Sequence, residues 1–261
     1  MTQARRFATP WEIALPPIEP PGAGHGSAEA GRECRATGAP AALWQQAGPL
    51  PVQRGFDAAG AVCKRVFDLA FAAALLIVVS PVLVAVALAL QLGSPGPVFF
   101  VQRRLGRGGR TFGCIKLRTM RADAERQLAA LLAASPAARR EWEATHKLRR
   151  DPRVSPLGRV VRRLSLDELP QLVNVLAGQM SVVGPRPIVA AEVSRYGAFY
   201  ADYCAVKPGL TGLWQVSGRN DVCYGERVRL DRHYARHASV LLDLRIVLRT
   251  VPAVMGANGS Y

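Results

Sequence analysis

The stretch SLDELP, residues 165–170, holds two adjacent carboxylates, Asp167 and Glu168, in a part of the chain that is rich in arginine. Two prolines fix the backbone on either side of one of these arginines, which lowers the entropic cost of holding its charge in place. Arginine forks bind phosphate oxygens, and carboxylates hold a metal ion or attack phosphorus. The pattern therefore suggests a magnesium-dependent phosphate-transfer site with nearby arginines at Arg159, Arg162, Arg163 and Arg186.

The same stretch is also typical of a helix start. Ser165 with Glu168 three residues later fits a capping box, and Asp167 would lie favourably in the first turn. Pro170 favours a helix that begins near Asp167, because a proline in the first turn removes no backbone hydrogen bond. We therefore predict a helix over about residues 167–177, which the following glycine ends. A purely structural role for the two carboxylates stays open at this point.

Charge and composition narrow the classes of partner. The net charge of +15 favours nucleic acid, anionic lipid or phosphate-bearing substrates. No nucleic-acid-binding module is recognisable, so we expect no nucleic acid partner. The cysteines are widely spaced without a C-x-x-C pair, and His233 and His237 have no third ligand beside them, which argues against a zinc site.

The first part of the chain predicts a disordered leader and then a membrane segment. Residues 1–58 are rich in proline and glycine and show no sustained apolar periodicity. Residues 69–92 contain no charged side chain. As a continuous helix this segment would be about 36 Å long, enough to cross a hydrocarbon core of about 30 Å.

Two features argue against a simple crossing by this segment. Ser80 and Pro81 lie at its middle, where proline removes a backbone hydrogen bond. Basic residues flank it on both sides, and such residues favour the cytoplasmic face. We therefore predict a re-entrant membrane helix over residues 59–97, broken at Ser80 and Pro81, with Ser80 satisfying backbone groups freed at the break. A kinked spanning helix is the alternative.

The remaining residues, 98–261, predict a cytoplasmic catalytic domain of the α+β class, mainly helical, with a small sheet. Residues 98–101 and 112–120 have strand character, and the second segment carries Lys116 and Arg118 on one side. Surface helices interrupted by Pro136 are predicted over 121–147, helical structure over 188–204, a loop at 207–212 and a helix over 224–235. From Val240 onward, apolar residues recur at helical spacing, which predicts an amphipathic helix that packs on the domain or lies in the membrane interface.

Residues from about 64 to 261 resemble the bacterial sugar transferase family, the monotopic polyprenyl-phosphate phosphoglycosyl transferases. The combination of SLDELPQ with VGPRP is the most specific part of the resemblance. The matching segments, in order, are KRVFD (64–68), the Ser80-Pro81 break, GSPGPVFFVQRRLG (93–106), FGCIKLRTM (112–120), RRLSLDELPQLVNVLAGQMSVVGPRP (162–187) and PGLTGLWQVSGR (208–219).

The resemblance implies a reaction and a place. A sugar 1-phosphate would move from a UDP-sugar to a polyprenyl phosphate such as undecaprenyl phosphate, with release of UMP. This would be the first membrane step in the assembly of an exopolysaccharide, capsule, O-antigen or glycoprotein glycan. The protein would be a monotopic protein of the bacterial inner membrane, in contact with its lipids, with interfacial amphipathic helices and a catalytic domain facing the cytoplasm. A homodimer is a further expectation.

The resemblance also implies residue roles. Asp167 would be the nucleophile that forms a covalent phosphosugar-aspartate, and Glu168 would assist it and help to hold Mg²⁺, with both carboxylates as metal ligands. The candidate substrate-binding residues are Lys116, Arg118, Arg162, Arg186 and Arg219, and the candidate membrane-interface residues are Lys64, Arg65 and Asp68. A second class stays open, namely a basic membrane-anchored binding or scaffolding protein that keeps the motif without turnover.

Overall fold

The computed structural model describes Phe56 and residues 58–93, 96–121, 123–145, 148, 151–217 and 223–255. Almost all of the predicted leader, and Arg219, therefore lie outside the described residues. Helices dominate the described part, which also contains two separate two-stranded sheets where one small sheet was expected. The predicted class, α+β and mainly helical, is confirmed.

Helix α1 runs from Ala58 to Gly93 without interruption, with Pro81 inside it. Proline has no amide hydrogen, so the carbonyl of Ile77, one turn earlier, loses its usual partner. The Ser80 hydroxyl donates to that carbonyl at 2.9 Å. The predicted role of Ser80 is therefore confirmed, although the helix does not end at the break. By length and composition α1 is able to cross a membrane.

Both halves of α1 pack against the rest of the chain. Phe67 and Phe71, in the first half, join the main core around Leu172. In the second half, Leu90 packs with Val161 in a separate cluster. Aliphatic side chains on the remaining surface of the helix stay exposed, including Ile77, Val78, Val84, Leu88 and Leu92. The helix is thus held along both halves while it presents an apolar surface outward.

A β-hairpin follows α1. Strands β1 (Phe99–Leu105) and β2 (Thr111–Leu117) pair antiparallel, with Phe100 opposite Lys116. Gly108 and Gly109 have φ of 68° and 71° in the connecting turn, a conformation that glycine adopts without a steric penalty. The two predicted extended segments are confirmed, and β1 continues four residues beyond its predicted end at 101.

Three helices lead from the hairpin to the acidic pair. Helices α2 (Ala124–Ala134) and α3 (Pro136–Thr145) confirm the predicted interruption at Pro136. Helix α4 (Pro156–Arg163) begins where the Ser155 hydroxyl accepts a hydrogen bond from the Gly158 amide at 2.9 Å. A Cβ on Gly158 would lie 2.2 Å from the Thr119 carbonyl, so glycine lets α4 approach the chain just after β2.

The helix predicted over 167–177 is divided. Leu166–Glu168 form a single 3₁₀ turn, and helix α5 spans Gln171–Leu176 after Pro170. The glycine expected to end the helix, Gly178, has φ 79°, as that prediction requires.

A parallel pair of strands replaces part of the predicted loop at 207–212. Strand β3 (Ser181–Val183) pairs with β4 (Gly209–Thr211). A Cβ on Gly209 would lie 2.1 Å from the Gly184 amide nitrogen, so only glycine allows this close approach. The strands fix the position at which the chain enters the Pro185-Arg186-Pro187 triplet.

The last third of the chain is helical. The segment predicted as helical over 188–204 is a series of short turns that includes α6 (Val193–Tyr196) and α7 (Tyr200–Ala205). A single turn, α8 (Leu213–Val216), precedes α9 (Tyr224–His237) and α10 (Val240–Met255), and these two helices confirm the corresponding predictions. Helix α10 buries Asp243 and Ile246 and exposes an apolar face formed by Leu241, Leu244, Leu248 and Val251.

A buried junction, formed by Lys64, Asp68, Tyr234 and Asp243, ties α1 to α9 and α10. Lys64 Nζ lies 2.8 Å from Asp68 Oδ1 and 2.7 Å from Asp243 Oδ2. The Tyr234 hydroxyl lies 2.8 Å from Asp243 Oδ1. One buried cation is thus shared by carboxylates from two helices that are far apart in the sequence.

The buried junction also holds β3, the strand that leads to Arg186. Asp68 Oδ1 accepts hydrogen bonds from the Ser181 hydroxyl and from the following backbone amide, both at 3.0 Å. The Tyr234 hydroxyl lies 2.9 Å from the Val183 carbonyl oxygen. Side chains of α1 and of α9 therefore fix the backbone three residues before Arg186.

Candidate active site

The turn that carries Asp167 and Glu168 has a left-handed residue before it. Ser165 has φ 55° and is the only non-glycine residue with positive φ among those the structure describes. Its side chain makes no capping hydrogen bond to the turn. The capping box is therefore absent, and helix capping does not explain the acidic pair. Strained backbone of this kind is often found at functional sites.

Glu168 is held by two cations from different elements. Its Oε1 accepts hydrogen bonds from Lys116 Nζ at 2.8 Å and from Arg186 Nη2 at 2.9 Å. Burial disfavours the charged carboxylate, but Arg186 and Lys116 outweigh it and hold the pKa of Glu168 at about 2. Glu168 is thus ionised at neutral pH and joins β2 to the triplet that follows β3.

Asp167 differs from its neighbour. Among the described residues, no hydrogen bond or ion pair engages the Asp167 carboxylate. Burial and the neighbouring charge of Glu168 raise the pKa of Asp167, against the opposing influence of Lys116, Arg162 and Arg186. A half-buried carboxylate without a protein partner is available to a ligand.

Arg162 lies beside Asp167, at the end of α4. Its Nε donates to the Thr119 hydroxyl at 2.7 Å. Burial lowers the pKa of Arg162, and the negative charge of Asp167 partly restores it. The structure therefore brings five of the predicted site residues together: Asp167, Glu168, Lys116, Arg162 and Arg186.

The other predicted residues lie elsewhere. The Arg118 guanidinium lies against Gly96, where an added Cβ would be 2.2 Å from Nη1. Arg65 donates to the carbonyls of Val175 and Leu176 at 2.7 and 2.9 Å, at the end of α5. Lys64 and Asp68 belong to the buried junction, so their side chains contact the domain, and their place at a membrane interface stays a prediction.

Arg104 is a site residue that was not predicted from the sequence. Its Nε and Nη2 both donate to Gln102 Oε1, at 3.2 and 2.7 Å, and its Nη1 donates to the Pro187 carbonyl at 3.0 Å. Burial, followed by the nearby charge of Arg186, lowers the pKa of Arg104. The alternation of β1 places Gln102 and Arg104 on one side, and this signal could have identified them.

A narrow cleft opens between these side chains. Charged and neutral residues line it together. None of the neutral residues was among the predicted site residues. The lining residues are Arg104, Cys114, Lys116, Glu168, Gln171, Arg186, Pro187, Gly209, Leu210 and Gln215.

Asn174 connects two of the elements that form the cleft. Its Oδ1 accepts from the Ile115 amide at 3.0 Å, and its Nδ2 donates to the Gly113 carbonyl at 2.7 Å. Helix α5 is thereby bonded to β2, the strand that carries Lys116. The asparagine of the DELPQLVN segment thus sets the distance between Glu168 and its lysine partner.

Comparison with known proteins identifies the chain. The family model for bacterial sugar transferases matches residues 59–257. The chain belongs to the bacterial sugar transferase family. The predicted enzyme class, a phosphoglycosyl transferase, is thereby confirmed.

Several relatives of this sugar transferase have informative names. The exopolysaccharide production protein ExoY of Sinorhizobium fredii is 48% identical over 202 residues, 77% of this chain and 89% of that protein. The UDP-glucose:undecaprenyl-phosphate glucose-1-phosphate transferase of Caulobacter vibrioides is 40% identical over 222 residues, 82% and 76% of the two chains. The undecaprenyl-phosphate galactose phosphotransferase of Salmonella typhimurium is 44% identical over 198 residues, 76% of this chain and 41% of that protein.

Proposed function

We propose that this sugar transferase moves a sugar 1-phosphate from a UDP-sugar to a polyprenyl phosphate such as undecaprenyl phosphate, and releases UMP. The observation that carries the proposal is the unpaired Asp167 carboxylate inside a cationic cluster. Four cations, Arg104, Lys116, Arg162 and Arg186, exceed the two carboxylates by two charges. A diphosphate supplies the negative charge that this cluster lacks, and arginine forks suit its oxygens.

In the first step Asp167 attacks the phosphorus that carries the sugar. A bond forms between a carboxylate oxygen and phosphorus, while the bond to the bridging oxygen breaks and UMP leaves with the electron pair. The cations beside Asp167 favour the ionised form of its carboxylate, and they stabilise the negative charge that develops on the phosphate. Glu168 keeps Lys116 and Arg186 in place through its two ion pairs.

In the second step an oxygen of the polyprenyl phosphate attacks the same phosphorus. The bond to Asp167 breaks, which restores the free carboxylate and gives a polyprenyl diphosphate sugar. Two displacements at one phosphorus explain why a single unpaired carboxylate is enough.

The donor set fits Mg²⁺. This ion is usually bound through one or two carboxylates together with substrate phosphates, and it retains several waters. Within the described part of the chain Asp167 has no hydrogen-bond or ion-pair partner. Both cations on Glu168 bond the same oxygen, Oε1, so Glu168 Oε2 is also available. These two side chains would hold the ion, which would neutralise diphosphate charge when bound.

The membrane arrangement follows from the surroundings of α1. Straight, this 36-residue helix would be about 54 Å long, far more than a hydrocarbon core of about 30 Å. Its second half packs on α4, which carries Arg159, Arg162 and Arg163 and cannot enter that core. We infer that α1 enters and leaves by the cytoplasmic face of the inner membrane. The exposed face of α10 would lie among interfacial lipids, and a homodimer stays a prediction.

The experiment that tests this function mixes the full-length protein with Mg²⁺ and single UDP-sugars, without lipid. UMP should appear up to the enzyme concentration, and intact mass should increase by one sugar phosphate. Addition of undecaprenyl phosphate should then give repeated turnover. A binding or scaffolding protein would bind the nucleotide sugar without releasing UMP, and direct transfer would release UMP only when the lipid is present.

Asp167→Asn is the decisive variant in that experiment. It keeps the size of the side chain and removes the attacking charge, so the mass increase and turnover should both disappear while the fold is retained. Asp123→Asn, at a partly exposed helix start away from the cleft, serves as the matched control and should behave as wild type. An Asp167→Asn protein that still gains mass would refute the covalent step.

A further inference from the structure

Two glutamines, one buried and one partly buried, lie beside the cationic cluster, and the reaction as derived above gives them no role. Gln171 and Gln215 both line the cleft that holds Lys116, Glu168 and Arg186. Neither side chain carries a charge, so neither contributes to the attraction for a diphosphate. Neutral amides inside a strongly charged cleft require a different explanation.

Gln171 is buried without a protein partner. It is 3% exposed and is the first residue of α5, three positions after Glu168. Among the described residues, no hydrogen bond engages its side-chain amide. A primary amide has two donor hydrogens and an acceptor oxygen, and the cleft leaves those of Gln171 open to a ligand.

Gln215 leaves one acceptor unused. Its Nε2 donates to the Leu210 carbonyl at 3.2 Å, and this bond determines which way the amide is turned. Its Oε1 is then buried and has no hydrogen-bond partner among the residues that the structure describes. A Cβ on Gly212 would lie 2.8 Å from that oxygen, so a larger residue there would displace the amide. Unsatisfied buried polar atoms are rare in folded proteins and call for a missing partner.

We propose that Gln171 and Gln215 form a neutral subsite that binds the uncharged hydrogen-bonding groups next to the diphosphate of the donor. This inference rests on the proposed function and specifies part of its substrate recognition. Two parts of a UDP-sugar have this chemistry, the hydroxyl groups of the sugar and the imide edge of uracil. Both present donors and acceptors that match a free amide and a free amide oxygen.

The test compares Gln171→Met and Gln215→Met with the parent protein. Methionine has a similar length and no hydrogen-bond donor, so packing is largely kept while the amide is lost. Gln127→Met, on α2 and away from the cleft, is the matched control. Binding is measured by calorimetry with Mg²⁺ on the full chain carrying Asp167→Asn, which prevents turnover. The probes are UDP, UDP-glucose and UDP-galactose.

We expect each Met variant to weaken binding of at least one UDP-sugar by about tenfold, because its partner on the ligand loses a buried hydrogen bond. If UDP weakens to the same extent, the amides contact the base; if UDP is unaffected, they contact the sugar. Unchanged affinities for all three probes in folded variants would overturn the subsite. If a Met variant does not fold, Gln171→Asn or Gln215→Asn, which withdraws the amide by one methylene, tests the same contact.

Failure of the proposed function gives a different result. In that case the wild-type chain releases no UMP from any UDP-sugar, whether or not the Asp167→Asn parent binds the probes. Failure of the subsite alone leaves binding by the parent intact and equal to that of the two variants.

Discussion

Arg162 controls how easily Asp167 keeps its negative charge. Burial and Glu168 raise the pKa of Asp167, while Arg162 is among the cations that lower it. A nucleophilic carboxylate must be ionised, so UMP release in the first half-reaction should decline as the pH falls through the pKa of Asp167. Because that pKa is raised, the decline should occur at higher pH than an ordinary aspartate would give.

Arg162→Gln tests this coupling. Removal of the cation should raise the pKa of Asp167 further, so the acidic limb of the UMP-release profile should move to higher pH. Arg163→Gln, one residue later and exposed, removes the same charge without facing Asp167 and should leave the limb in place. Loss of activity by Arg162→Gln with an unmoved limb would mean that the arginine acts on the substrate alone.

At the scale of elements, α9 contains a carboxylate that should weaken the fold as the pH rises from about 4 to about 7. Asp231 is 2% exposed, and the Tyr196 hydroxyl donates to its Oδ2 at 2.7 Å. Arg227 is more distant, at 3.9 Å, and its guanidinium stacks on Trp214 and Tyr224. Burial raises the pKa of Asp231 to about 7, despite the opposing influence of Arg227 and Tyr196.

The sign of the effect follows from proton binding. Between about pH 4 and pH 7 the folded chain holds a proton on Asp231 that the unfolded chain has lost, so stability decreases as pH rises through this window. Asp231→Asn cannot titrate and still accepts from Tyr196. At pH 8 the Asp231→Asn variant should have a higher thermal midpoint than wild type. Its free energy of unfolding should be larger by an amount on the order of a few kcal/mol.

Circular dichroism melts of the detergent-solubilised protein at pH 5 and pH 8 measure this difference. Asp202→Asn is the contrasting variant, because Asp202 pairs with Arg232 and Arg236, each at 3.2 Å. Its loss should lower the midpoint at both pH values by leaving two cations without a counter-ion. Destabilisation by Asp231→Asn that is equal at the two pH values would show that Asp231 is charged in the fold.

Elements with local signals were the ones that the sequence could predict. Alternation revealed the hairpin, and the charge-free run at 69–92 with Ser80 and Pro81 revealed α1. The parallel pairing of β3 with β4 was missed because it joins segments nearly thirty residues apart and rests on the contact of Gly184 with Gly209. A glycine needed for a close approach looks the same in sequence as a glycine in a loop.

The candidate site was predictable by residue type but not by arrangement. Asp167, Glu168 and Arg186 were identified from their charges and Lys116 from the family resemblance, and the structure brings them together. The left-handed Ser165 was not foreseen, because serine rarely adopts positive φ and only the surrounding packing imposes it. Gln171 gave no signal, since a glutamine in an amphipathic stretch normally faces water.

At the scale of the whole molecule, the question is whether both ends of α1 lie on the same side of the membrane. Single cysteines at Ala61 and Leu92, exposed near the two ends of the helix, should react with a membrane-impermeant maleimide from the cytoplasmic side only. The background carries serine in place of the native cysteines, because Cys63 is exposed and Cys204 is partly exposed. Labelling in inverted vesicles and its absence in intact spheroplasts is the expected pattern. Labels on opposite sides would establish a spanning helix.

Pro81→Leu should shift that pattern toward a straight crossing, because it restores the backbone hydrogen bond that Pro81 removes. Pro252→Leu makes the same change inside α10 and should not alter the labelling at Ala61 or Leu92. An unchanged pattern in Pro81→Leu would indicate that the packing of both helix halves on the domain, rather than the proline, fixes the topology.

The buried junction limits where this chain can be truncated or fused to another protein. A fragment that begins after Gly93 would retain Asp243, which is 0% exposed, without Lys64, and β3 would lose the Asp68 acceptor for two of its donors. A buried charge that loses its partner destabilises a protein by about 3–5 kcal/mol. Truncation after Gly93 should therefore destabilise the domain, and fusion proteins should be joined upstream of Ala58. Protein engineering should treat α1 and the domain as one folding unit.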